Sequence, residues 1–532
     1  MFDRRELDLL DDALRALQDA MPQPHAWPPA PLPESGDGFA AMRPVLLEAA
    51  QRLGACAPTG HPFYLGHMLK PPHAAARIGY ALALWLNPNN HAFDGGRASS
   101  QMEIEAVAQI ARLFGWSGAL GHLCSGGTVA NLEALWIARE AVREGGAGGL
   151  RGSGLRDSTP QPAAASEPTH APASAPTSHP APGIAASAQA HYCHARAACL
   201  LGLRFHAVAV DALGRMDMRA LQALLERETI GTVVATLGTP ATGALDPLHA
   251  IAELCAAHGA RLHVDAAYGG YFTLAGNLRP EARRAFDAIA RADSLVVDPH
   301  KHGLQPYGCG CLLLRDPALR RHYAHAPGYA YLASDEPHLG QVSLECSRPG
   351  AAAVALWATL RLLPLVPGGA FAQGLQAGRE AALRLWRALR RDRRFLAPLR
   401  PELDVVVWAV RAPCATQASA LARRLHAAAQ AMDLHFSLAV LPRAMLEPLE
   451  GTGGSFVWDA EQLLVLRACV MKPAHLDWMS RILQRLDTAA LAVLGPREHA
   501  GKPVAQDTRS CHAHPASDVA ATTPTSIQGA RS

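Results

Sequence analysis

Residues 232–265 read TVVATLGTPATGALDPLHAIAELCAAHGARLHVD. The opening TVVATL (232–237) is a near-continuous β-branched and apolar run. A helical stretch follows at Pro247–His258, and then a second short run, RLHV (261–264). An uninterrupted apolar strand is expected where a sheet is covered on both faces. Strands that alternate with helices predict mostly parallel pairing.

The same alternation extends outward through HAVAV (206–210), SLVV (294–297) and CLLL (311–314). Together these runs predict an α/β protein with a large, mostly parallel sheet. A smaller C-terminal α/β unit is expected from strands at Asp404–Val410 and Leu463–Val470 and helices at Ala418–Met432 and His475–Leu491. The domain reading is a helical segment over 1–100, a large domain over 101–369, a small domain over 370–500 and a disordered tail over 501–532. Leu7, Leu10, Leu14 and Leu17 mark an amphipathic helix near the start, and a second helix is expected over about Gln101–Gly115. Residues 145–183 are almost entirely Gly, Ala, Pro, Ser and Thr. Such a stretch buries too little apolar surface to offset its ordering entropy, so it reads as a disordered insertion in the large domain.

Composition excludes several classes. A formal charge of +3 on 532 residues argues against a nucleic-acid groove or a polybasic membrane patch. No apolar run is long enough to span a bilayer, and charges interrupt the first residues where a signal peptide would be apolar. Eleven scattered cysteines with no CxxC pair suggest reduced thiols in the cytoplasm. The histidines show no metal-ligating spacing, so no metal is expected.

Ligands in open α/β sheets bind beyond the carboxyl ends of strands. Asp265 follows RLHV, and Lys301 follows SLVV after Asp298-Pro-His. Either residue alone reads as readily as a cap, an ion-pair partner or a surface lysine. Together they suit pyridoxal 5′-phosphate, whose aldehyde needs a lysine and whose pyridine nitrogen needs an acid. The glycine turn in CSGGTVAN (124–131) opens a helix and offers N–H groups to a phosphate, although it would serve equally as an ordinary helix start.

Eight segments then carry a resemblance: HPFYLGHM (61–68), NPNNHAFDGG (87–96), SGGTVAN (125–131), AHYCHARAACLLG (190–202), VVATLGTPATGALDP (233–247), HVDAAYGG (263–270), DPHKHGL (298–304) and SLECSRPG (343–350). In this order the chain resembles the group II pyridoxal-phosphate-dependent amino-acid decarboxylases, a family that includes aromatic-amino-acid, glutamate, tyrosine and diaminobutyrate decarboxylases. The resemblance implies the aspartate-aminotransferase-like fold, type I among pyridoxal-phosphate transferase folds. It also implies a homodimer with active sites at its interface. By this likeness Lys301 forms the Schiff base, Asp265 pairs with the pyridine nitrogen, His191 stacks on the ring and Ala267 presses its other face. Gly127, Thr128 and His300 would hold the phosphate. Asp298 stands where several relatives have Asn, and a carboxylate there would repel a phosphate. Pro240 replaces a threonine, and Thr236 and Thr239 are the candidates to compensate for it.

The implied activity is that of a carboxy-lyase, converting an L-amino acid to its amine and carbon dioxide. The family's proton donor is a loop tyrosine, matched best by Tyr331 within HAPGYAYLASDE (325–336), ahead of Tyr329 and Tyr323. Packing at a dimer seam is the other reading of these loop tyrosines. His61, Phe63 and Tyr64 are expected to line the substrate pocket or to pack in the helical layer, and Arg348 to bind a carboxylate or a structural neighbour. Transamination, cleavage of a phosphorylated amino alcohol, and a non-catalytic protein on the same fold are the alternatives. Substrate identity is not readable.

Overall fold

The computed structural model describes residues 3–21, 38–145, 182–322, 338–446 and 456–496. Tyr331, residues 146–181 of the expected insertion and the expected tail lie outside these. Gly145 closes a helix and Gly183 opens a strand, so the insertion's outermost residues belong to the fold.

The N-terminal layer contains α1 (Arg5–Ala20), α2 (Gly38–Leu53) and α3 (Ala74–Leu84), followed by the long α4 (Phe93–Leu113). The large domain continues with β1 (Leu120–Cys124), α5 (Gly127–Gly145), β2 (Gly183–Ser187), α6 (Cys193–Leu200) and β3 (Phe205–Val208). Next come α7 (Met218–Arg227), β4 (Ile230–Thr236), α8 (Leu248–His258), β5 (Arg261–Asp265), α9 (Pro280–Asp287), β6 (Ser294–Val297) and β7 (Gly310–Leu314). Helix α10 (Ala351–Leu362) packs on α3 and α4, and α11 (Ala370–Arg391) leads into the small domain. That domain holds β8 (Phe395–Leu396), β9 (Val405–Val410), α12 (Ala415–Gln430), β10 (Ser437–Pro442), β11 (Gln462–Cys469) and α13 (His475–Leu494).

The seven-stranded sheet runs β1-β7-β6-β5-β4-β2-β3. Its β3, β2, β4, β5 and β6 are parallel, and β7 is antiparallel to both β6 and β1. All seven residues of β4 are buried, as expected for a strand covered on both faces. Helix α8 ends on Gly259 at φ +69°, where a left-handed residue lets the chain turn straight into β5. Asp246 fixes the loop after β4 by accepting hydrogen bonds from Thr236 N (2.8 Å) and Met216 N (2.7 Å). The small sheet, β10-β11-β9-β8, is antiparallel.

The sheet's order gathers the candidate chemistry at one edge. Thr236 and Asp265 end adjacent parallel strands as register partners, and Asp265 pairs with Val296 of β6, just before Asp298. At the sheet's other side Cys124 pairs with Gly310, which brings the glycine turn after β1 to the same edge.

Candidate active site

A cavity of about 500 Å³ opens at this edge, and Lys301, Asp265, His191, Ala267, His300, Gly127 and Thr128 all line it. These are seven of the positions expected to hold the cofactor or act on it.

Asp265 is buried and fully engaged. Its Oδ2 accepts from His194 Nε2 (2.9 Å) and Asn131 Nδ2 (3.3 Å), and its Oδ1 from Ala267 N (3.1 Å). Burial pushes its pKa up, but the His194 contact, the charge of Lys301 and the Ala267 N–H together outweigh it. The carboxyl is therefore held well below the usual range. Asn131 is itself held from behind: its Oδ1 accepts from His263 Nε2 (2.8 Å), whose Nδ1 faces Ser294 Oγ (2.8 Å). Burial drives His263 down to about 3, so it stands neutral in this relay.

Lys301 Nζ lies 3.0 Å from Asp298 Oδ2. Burial lowers the lysine's pKa, but Asp298 and Asp265 raise it more, and the net shift is upward. Burial lowers His191, which favours a neutral imidazole able to stack on a flat ring. His300 Nδ1 donates to Cys309 O (2.8 Å), which turns Nε2 toward Asp298 at 3.5 Å.

The glycine turn is shaped for close approach. Gly126 has φ +153°, and a Cβ there would stand 3.2 Å from the His300 ring. A Cβ at Gly127 would meet Asp298 Oδ2 at 2.8 Å. The N-terminus of α5 and its free N–H groups thus face the cavity where a side chain would fill it. Thr236 Oγ1 is buried without a hydrogen-bond partner, whereas Thr239 is engaged with Thr242 Oγ1 (3.0 Å) and Ala244 N (3.0 Å). Of the two hydroxyls expected to stand in at Pro240, only Thr236 remains available. An acid for the pyridine nitrogen, an amine for the aldehyde and an anion turn thus share one cavity, and these residues fit pyridoxal phosphate.

None of the four candidate substrate contacts, His61, Phe63, Tyr64 and Arg348, lines this cavity, which favours the packing alternative for each. His61 and Phe63 do not line this cavity; both face a separate one with Trp478, their rings 5.1 and 5.2 Å from its indole. Tyr64 is buried and forms a parallel bridge to His435, because residues 63–65 add to the small sheet through Leu65 N to His435 O (2.8 Å) and Cys469 N to Leu65 O (2.8 Å). The end of that same segment, His67 and Met68, reaches the cavity instead. Arg348 is structural. Its NH1 donates to Glu103 Oε1 (2.7 Å) and to Leu123 O, with both ionic side chains buried.

The sequence reading missed Asn131, His194, Tyr307 and Arg467. Arg467, on β11 of the small domain, lines the cavity and donates to Pro240 O (2.8 Å), Ala241 O (3.1 Å), Gly66 O (3.3 Å) and Ser437 Oγ (3.1 Å). It forms no salt bridge with a carboxylate among the described residues, although its charge acts on Asp404. His194 had a local signal, since it sits in the motif that supplied His191. Arg467 had none near Lys301 in sequence.

The fold and the cavity define an α/β protein of the aspartate-aminotransferase-like class, pyridoxal-phosphate fold type I. Residues 169–411 match the family model of the pyridoxal-dependent decarboxylase conserved domain. It is 29% identical over 364 residues to an L-tyrosine decarboxylase of Levilactobacillus brevis, covering 57% of this chain and 58% of that one. It is 32% identical over 351 residues to an L-2,4-diaminobutyrate decarboxylase of Rhizobium meliloti, covering 63% and 62%. The chain thus spans about three fifths of the length of these curated relatives. The crystal structure of mouse CSAD superposes with a TM-score of 0.66 at 22% identity, covering 90% of this chain and 91% of that one. That of Oryza sativa TDC with PLP and tryptamine also gives 0.66, at 20% identity, covering 91% and 96%. At these identities the superpositions show a shared fold.

Proposed function

We propose that this chain is a pyridoxal-phosphate-dependent decarboxylase that converts an L-amino acid to its amine and carbon dioxide. One observation carries the reading: Lys301, Asp265, His191 and the 125–128 turn line one cavity together with Arg467. The similarity to tyrosine and diaminobutyrate decarboxylases agrees with it.

Lys301 is the amine that holds the aldehyde, and Asp265, kept ionised by its donors, holds a proton on the pyridine nitrogen. His191 and Ala267 lie against the two ring faces. The turn at 125–128 and His300 hold the phosphate, with Thr236 as an added hydroxyl. Bound there, pyridoxal phosphate supplies an electron sink for the bonding pair left behind as carbon dioxide departs. Arg467 orients the substrate by its carboxylate. Tyr331 delivers the proton that completes the amine.

The assembly we propose is a homodimer. Every described side chain of α2 is exposed, including Phe39 at 77%, Leu46 at 66% and Leu53 at 68%, which leaves an apolar helix for a second copy to cover. No helix among the described residues is long and apolar enough to cross a membrane. The ten described cysteines are free thiols, which suits a reducing cytoplasm.

The test is direct. The purified chain loaded with pyridoxal phosphate should absorb near 420 nm, about where protonated Schiff bases of this cofactor absorb. Borohydride should bleach that band, and carboxyl-labelled amino acids should release labelled carbon dioxide. Lys301→Ala should lose both signals. A wild-type chain that takes up no cofactor, or that returns a keto acid instead of an amine, overturns the reading.

A further inference from the structure

A further cavity, of about 550 Å³, lies where the N-terminal helices, the sheet domain and the small domain meet. It shares no lining residue with the Lys301 cavity. Lys70, His73, Arg77, His302 and Lys472 line it, and no aspartate or glutamate does. Leu304, Leu363 and Phe371 supply apolar wall.

These side chains differ in what satisfies them. Arg77 is engaged by Glu6, its Nε donating at 2.9 Å. Lys472 Nζ donates once, to Tyr64 O at 2.6 Å, which leaves two of its three N–H groups. Among the described residues Lys70 has neither a hydrogen bond nor an ion pair; the charge it feels is that of Asp404. His302 is 1% exposed, and neither of its ring nitrogens has a hydrogen-bond partner, Asp404 Oδ2 standing 3.5 Å from Nε2. The wall is also strained: Leu304 sits at φ +63°, held by His73 N to Leu304 O (2.9 Å). A branched residue in the left-handed region costs energy and tends to mark functional surfaces.

Two ammonium groups and an orphaned imidazole, with the Asp404 carboxylate beside them but outside the lining, call for a further counter-charge. Burial pushes both Lys70 and Lys472 down to about 8, in Lys70 against the upward pull of Asp404. We propose that this cavity is a binding site for a small organic anion, its carboxylate or phosphate head between Lys70, Lys472 and His302 and its apolar body on Leu304, Leu363 and Phe371. The site is wired to the first cavity. His302 follows Lys301 in the chain, and Tyr268, which lines the Lys301 cavity, donates its hydroxyl to Asp404 Oδ1 at 2.6 Å.

The experiment is calorimetric titration of the full-length chain loaded with pyridoxal phosphate, using phenyl phosphate and phenylacetate as probes and benzylamine as the cationic control. The two anions report which head the site prefers. At least one should bind, and Lys70→Met should weaken it tenfold or more. Lys70 makes no hydrogen bond whose loss would unfold the protein, and Lys472→Met supplies a second variant with the same expectation. Arg467→Met should leave this binding unchanged. Absence of binding by both anions overturns the proposal. So does equal affinity for benzylamine, an affinity unmoved by Lys70→Met, or binding that disappears in Arg467→Met, which would place the anion in the Lys301 cavity.

Discussion

Asp298 Oδ2 stands 3.0 Å from Lys301 Nζ and beside Gly127, so a single carboxylate touches both the amine and the anion turn. Its other oxygen, Oδ1, is buried without a partner. In the cofactor-free chain this carboxylate holds Lys301 as an ammonium, which has no lone pair with which to capture an aldehyde.

Replacing Asp298 with Asn should therefore speed cofactor capture at neutral pH. Lys301's pKa is raised mainly by Asp298 working against burial, so losing the carboxylate lowers it. Each unit of that fall yields about tenfold more free amine below the pKa. Reconstitution followed near 420 nm across pH should show the rate profile displaced to lower pH. An unmoved profile would rule out this role for Asp298.

Arg467→Lys should raise KM for the amino acid by roughly ten- to a hundredfold, the loss of about 1.5–3 kcal/mol given by a charge-assisted hydrogen bond. The amine product has lost the α-carboxylate, so its inhibition constant should stay within twofold. If both constants rise together, the arginine acts on the shape of the cavity through Pro240 and Gly66 and does not read the carboxylate.

Tyr331→Phe should slow amine formation by about a hundredfold or more, the usual contribution of a positioned acid. Carbon dioxide release should fall less than amine yield as side products accumulate. Equal rates in variant and wild type would transfer the role to another group.

Arg348→Ala strands the buried Glu103 carboxylate and should cost about 3–5 kcal/mol, visible as a large drop in Tm. KM of the remaining folded enzyme should not change. A raised KM at unchanged Tm would restore Arg348 as a substrate contact.

His263 predicts acid sensitivity. Its folded pKa is depressed to about 3, so the native state stays neutral where the unfolded chain, at about 6.5, takes up a proton. Stability from this group is whole above about pH 6.5 and declines as pH falls toward 3. Between pH 6.5 and 5 the loss is about 2 kcal/mol. In His263→Gln the fall in Tm over that interval should be shallower. An identical slope would mean that other groups set the acid limit.

Much of the fold was legible because its strands are buried on both faces and write themselves as unbroken apolar runs. TVVATL became β4, RLHV became β5 and SLVV became β6, each within a few residues. The short β1 and β2, LGHLC and GIAAS, carry glycine, alanine and a buried histidine and gave no comparable signal. Helix α4 begins eight residues before the expected Gln101, since its first turns are glycine- and serine-rich.

Within the site, Lys301 and Asp265 were readable because parallel neighbouring strands deliver their last residues to a common edge, whatever the rest of the chain does. Order along the chain was enough for that, and for the glycine turn. Which way residues 61–68 face was settled by their pairing with His435 and Cys469, some four hundred residues away, which buries Phe63 and Tyr64 and frees His67. The arrival of Arg467, the capture of Arg348 by Glu103 and the meeting of Lys70 with Lys472 are likewise products of docking between layers. Local pattern encodes burial and direction one element at a time. Which distant side chains meet depends on packing the whole molecule, and that information exists only in three dimensions.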